Sequence, residues 1–232
     1  MLHARAMTNN AIVNKLLKIS EDEIDTVKIL YEHEKFPWAV YALQQSIEKI
    51  AKAWFLNIGF ITEKDLKRIG HITPTLFIEY AKSEHGELAV KVAEAMGVKV
   101  SRDTSDYEHF IYKDPMEYAT MDYVGIKTLI DNIKNLEETI TNGLQSNLLY
   151  SLLKKFIDLE NYFDIPITFI WLFFLTSITF PHNQYPRYPN LNLEPWDYNM
   201  ELGIVKALPE LLEISNRCRE DLSKTCARET PP

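Results

Sequence analysis

Residues 42–55 read Ala-Leu-Gln-Gln-Ser-Ile-Glu-Lys-Ile-Ala-Lys-Ala-Trp-Phe. Leu43, Ile47, Ile50, Ala51, Trp54 and Phe55 recur at helical spacing and make one apolar stripe. Gln44, Gln45, Glu48, Lys49 and Lys52 fill the remainder, and Glu48 precedes Lys52 by four residues, the favourable order for an ion pair. The stretch is too polar in its middle for ordinary core filler and too apolar for a solvated surface. Periodicity alone favours the plain interpretation, an amphipathic helix whose charges face water.

The flanking sequence punctuates this helix at both ends. Lys35-Phe36-Pro37 interrupts the chain before it, with Pro37 suited to a first helical turn, and the helix runs to about Asn57 before Gly59 stops it. Upstream, Ser20 followed by Glu21, Asp22 and Glu23 reads as another helix start, leaving 1–18 as a loose lead-in. Downstream, a polar connection through Arg68 leads to helices over about 74–83 and 88–96. A longer one follows over 116–141, stopped by the turn signal Asn142-Gly143, and an apolar stripe runs from Leu148 to Ile157. The aromatic, proline-rich stretch 181–196 reads as an ordered loop. A final helix spans 197–222, and 223–232 reads as a frayed tail. Long 3.6-residue periods with few alternating segments indicate an all-α protein.

Bulk properties narrow the function. The 232 residues suffice to bury a sizeable core, and 12 Tyr, 11 Phe and 4 Trp predict that aromatic packing dominates it. A net charge of −8 without a basic run argues against broad DNA binding, so any contact with RNA is local. Seven scattered Gly give no phosphate-binding loop, and Cys218 and Cys226 match no zinc spacing. No metal or cofactor is expected. The first twenty residues lack the apolar core of a signal peptide. Residues 165–180 are strongly apolar, but sixteen residues fall short of the roughly 20 that span a bilayer. They read as a buried helix, packed within one subunit or between two, in a cytoplasmic protein without membrane contact.

The string Gln44-Gln45-Ser46-Ile47-Glu48-Lys49-Ile50-Ala51-Lys52-Ala53 resembles the signature helix of the HEPN superfamily. The step Gly70-His71 resembles the His that opens the next helical segment in that family, and Arg187-Tyr188-Pro189 its Arg-Tyr-Pro before the last helix. The resemblance covers about 20–82 and 175–220. It implies a single HEPN-like domain over 19–222, an all-α up-and-down helical bundle in which 83–165 are additional helices. The larger, AbiV-like abortive-infection members are nearest in layout.

The resemblance also implies a role in stress or phage defence, toxin–antitoxin systems or RNA handling. A homodimer is implied, with a protein partner or antitoxin and RNA or a nucleotide as candidate ligands. Nuclease members carry an Arg and a His separated by four to six residues, and Arg102 and His109, with six residues between them, resemble that pair. In metal-independent RNA cleavage His109 would take the 2′-hydroxyl proton and Arg102 would neutralise the phosphorane. Asp103, Asp106, Glu108 and Asp114 crowd the pair and repel phosphate, which favours a non-catalytic interaction or nucleotide-binding module. A second set comprises Gln45, Glu48, Lys49, His71, Arg187 and Tyr188. Facing one interior groove, these side chains would form either a polar ligand pocket or a closed network that fixes helix register.

Overall fold

The computed structural model describes residues 2–69, 76–77, 79–80, 118–145, 164–183 and 193–228. They form six α-helices and no strand: α1 (Leu2–Glu32), α2 (Phe36–Asn57), α3 (Glu63–Ile69), α4 (Tyr123–Gln145), α5 (Asp164–Thr179) and α6 (Gly203–Arg228). The fold is an all-α up-and-down bundle. At its centre α2 packs on α1, α5 and α6 and on the 3-10 turn Phe180–Asn183.

The α1–α2 hairpin is set by its turn. Glu34 N–H donates to Tyr31 O and Lys35 N–H to Leu30 O, at 3.0 and 2.8 Å, the paired bonds of a Schellman cap. Glu34 occupies the left-handed position with φ +56°. Pro37 lies in the first turn of α2, where a missing N–H removes no helical bond. The other end of α2 repeats the cap with a glycine. Gly59 (φ +73°) donates to Leu56 O and Phe60 to Phe55 O, while the Phe55 and Phe60 rings close the motif at 5.6 Å.

Several boundaries differ from the sequence reading. The expected lead-in is helical from Leu2, and Val13 and Leu17 are core residues. Ser20 does not cap a helix start. Its hydroxyl donates back to Leu17 O, and its small side chain lies fully buried where α1 crosses α2. The polar connection after Gly59 contains α3, whose first turn is tied back to Thr62 through Asp65. Thr62 N–H donates to Asp65 Oδ2 at 2.9 Å, and Asp65 N–H to Thr62 O at 2.9 Å. Helix α4 runs through Asn142-Gly143 to Gln145. Helix α6 continues to Arg228 with Leu222 and Cys226 buried, so the tail is helical past residue 222.

Aromatic rings fill the centre. Trp54 and Phe55 of α2 meet Phe77, Tyr80 and Phe169 at centroid distances of 4.9–5.9 Å. Helix α5 buries Trp171, Leu172, Leu175 and Ile178, as its apolar sequence requires. No helix among the described residues is long and apolar enough to cross a membrane. The start of α6 lies against the bend before α4. A Cβ on Gly203 would lie 2.1 Å from Met121 O, so only glycine permits this approach. Beyond it, Glu210 accepts from Lys127 and Lys134, tying α6 to α4.

Candidate functional site

Helix α2 carries two polar rows, and the structure places them differently. Gln44, Glu48 and Lys52, each one turn apart, are buried. Lys52 Nζ donates to Glu48 Oε1 at 2.6 Å, with the two side chains 11 and 5 % exposed. The solvated-charge interpretation therefore fails for this row. With α1 on one side and α5 and α6 on others, α2 has too little free surface to keep all its polar residues in water.

Gln45 and Lys49 form the second row, at the half-buried edge facing α1. Lys49 Nζ lies 2.7 Å from Glu23 Oε1 and donates to Gln45 O at 3.2 Å. Gln45 Nε2 in turn donates to Gln44 Oε1 at 2.6 Å, linking the two rows. Beside them Ser46 Oγ donates to Ser20 O at 3.1 Å, which brings the two helix backbones together. Burial raises the Glu23 pKa above the usual carboxylate value, against the opposing pull of Lys49. Its second oxygen, Oε2, is shielded from solvent and has no hydrogen-bond partner.

Gln45, Glu48 and Lys49 therefore belong to one inward-facing polar seam, and Gln45 and Lys49 touch. Arg102, His109, His71, Arg187 and Tyr188 lie outside the described residues. The seam also recruits residues the sequence reading did not select. Gln44 and Lys52 were legible as its i±4 neighbours on the same helix. Glu23 read as a first-turn acid of α1, and only the helix crossing brings it to Lys49.

A second buried polar group lies in the 3-10 turn after the C-terminal end of α5. His182 has no exposed surface, and its Nδ1 lies 2.6 Å from the Tyr198 hydroxyl. Its Nε2 is buried without a partner. Burial lowers the His182 pKa to about 3, so the ring is neutral. Among the described residues no group of three His, Cys, Asp or Glu side chains is placed to hold a metal ion.

These features define an all-helical protein whose central helix carries amides and ion pairs into the core. The chain carries a HEPN domain: residues 13–120 match the family model of that name. The matched segment begins inside α1, contains the whole seam and ends at the bend before α4. A HEPN domain is in general a nucleotide- or RNA-related module, and such domains often dimerise. Comparison with curated proteins and with solved structures finds no match.

Proposed function

We propose that this protein is a non-catalytic HEPN module of a stress or phage-defence response, cytoplasmic and homodimeric, that binds a nucleotide or an RNA phosphate. The observation that carries this reading is the position of Lys49. It lies in the helix bearing the family signature, at the edge of the seam that solvent reaches, with a side chain 19 % exposed. Its carboxylate partner is one that burial already disfavours as an anion. A phosphate oxygen entering at this edge replaces Glu23 on the ammonium, with Gln45 beside it as a further donor. Glu23 then takes a proton or turns to water. Glu48 and Lys52, deeper in the bundle, hold the helix in register and do not meet the ligand. A net charge of −8 restricts the contact to a few phosphates.

Fluorescence anisotropy with a labelled single-stranded RNA and with ATP tests this. Lys49→Gln weakens binding, Glu23→Gln tightens it by freeing the ammonium, and wild-type affinity rises as the pH falls and Glu23 protonates. Both variants binding like the wild type would leave the seam a register device alone. The Arg102 and His109 spacing supports a second reading, a metal-independent endoribonuclease. RNA cleavage that persists in chelator and disappears in His109→Ala decides for it, and intact RNA decides against it.

A further inference from the structure

The loop before α6 is built to hold one indole in water. Leu193 and Tyr198 anchor it, 4 and 3 % exposed, and Tyr198 is fixed by its hydroxyl at 2.6 Å from His182 Nδ1. Between the anchors, Pro195–Asp197 form a 3-10 turn closed by a capping box. Glu194 N–H donates to Asp197 Oδ2 at 2.7 Å, and Asp197 N–H to Glu194 O at 2.9 Å. Trp196, in the middle of this locked turn, is 70 % exposed. Met200 is 46 % exposed, and its sulfur lies 3.7 Å from the Tyr31 hydroxyl. That contact joins the loop to the α1–α2 turn.

Among the described residues the charge at this aromatic end is mostly acidic. Glu194, Asp197 and Glu201 lie on the loop, and Glu32 and Glu34 on the adjoining turn, against His33 and Lys35. A second copy docked here through a two-fold axis would bring the same acids face to face, on chains of net charge −8. RNA is repelled for the same reason. A cation is attracted twice, by the face of the indole and by the net negative charge of the acidic residues on the same loop and the adjoining turn. The backbone around Trp196 is already fixed, so binding orders little there.

We propose that this end of the bundle docks a basic segment of a partner protein, with an Arg or Lys side chain over Trp196 and neighbouring basic groups on the acidic rim. The face is separate from the α2 seam, and the inference holds whether or not Lys49 binds phosphate.

The test uses the full chain and a labelled peptide of alternating Arg and Leu, followed by anisotropy. Its control is the same peptide with Glu for Arg. Saturable binding of the Arg peptide alone is expected. Trp196→Ala weakens it about tenfold, Trp196→Phe by less, and Glu201→Gln several-fold. Trp196 is exposed, so Trp196→Ala should melt with the wild type, and the melt verifies that its effect is local. No binding, or equal affinity for Trp196→Ala, overturns the proposal. A dimer by size-exclusion chromatography that Trp196→Ala converts to monomer also overturns it, by assigning the face to a second copy.

Discussion

Lys52 and Glu48 form an ion pair at 2.6 Å inside the bundle, both side chains almost wholly shielded from water. Coulombic attraction in such a site roughly offsets the desolvation of the two groups, so the pair adds little net stability. Removing one partner is a different matter, because the other charge stays buried and loses its ion pair.

Lys52→Met is therefore expected to destabilise the protein by about 3 kcal/mol, a loss read from denaturant unfolding. Lys49→Met, at the half-open edge, should lose about 1 kcal/mol or less, since Glu23 there can protonate or hydrate. Equal losses at the two positions would show that the rows do not differ in burial as described.

The two Schellman caps of the hairpin make opposite predictions. Glu34 holds φ +56° with a side chain that the left-handed region disfavours, whereas Gly59 holds φ +73° without that penalty. Glu34→Gly is expected to stabilise by about 1 kcal/mol, raising the melting temperature by roughly 2–4 °C in a chain of this size. Gly59→Ala should destabilise by a similar amount. No atom lies within 4 Å of a Cβ at Gly59, so the loss would be conformational and not steric. Thermal melts of the two variants check both signs.

These local signals explain why α2 was legible in advance. Pro37 and Gly59 act through their own backbone, and sequence displays them directly. The start of α1 was not legible, because Ser20 followed by three acids looks like a cap. Its actual use, a small residue under Ser46 at a helix crossing, depends on a partner 26 positions away. Asn142-Gly143 failed as a turn for a related reason: α4 continues through it, so a local preference yields to its surroundings. Periodicity located Glu48 and Lys52 on one face of a helix. It carried no information on whether another helix covered that face. The family helix was recognisable, because it is a contiguous string. Glu23 was not, because a helix crossing supplies it.

The cysteines allow a direct check of the C-terminal helix. Cys218 and Cys226 are both buried on α6, and Cys226 Sγ lies 3.3 Å from Asn57 Oδ1 at the end of α2. Burial pushes the Cys218 thiol up to about 12, leaving almost no thiolate at neutral pH. Both thiols should resist a chromogenic disulfide reagent in native buffer and react together in denaturant. Prompt labelling of Cys226 alone would show the end of α6 undocked from α2.

His182 predicts how the fold responds to acid. Its folded pKa of about 3 lies below the ordinary 6.5, because a fully buried ring resists protonation. The unfolded chain therefore binds the proton first. The stability from keeping the ring neutral is complete above pH 6.5 and is lost progressively as the pH falls toward 3. Between pH 7 and 5 the loss amounts to about 2 kcal/mol. His182→Gln keeps a polar group toward the Tyr198 hydroxyl but has nothing to titrate. Whatever its own stability, its unfolding free energy should fall about 2 kcal/mol less than the wild type over that interval. Parallel pH profiles for the two proteins would mean that His182 is hydrated or paired, and that the loop carrying Trp196 is not anchored through a neutral imidazole.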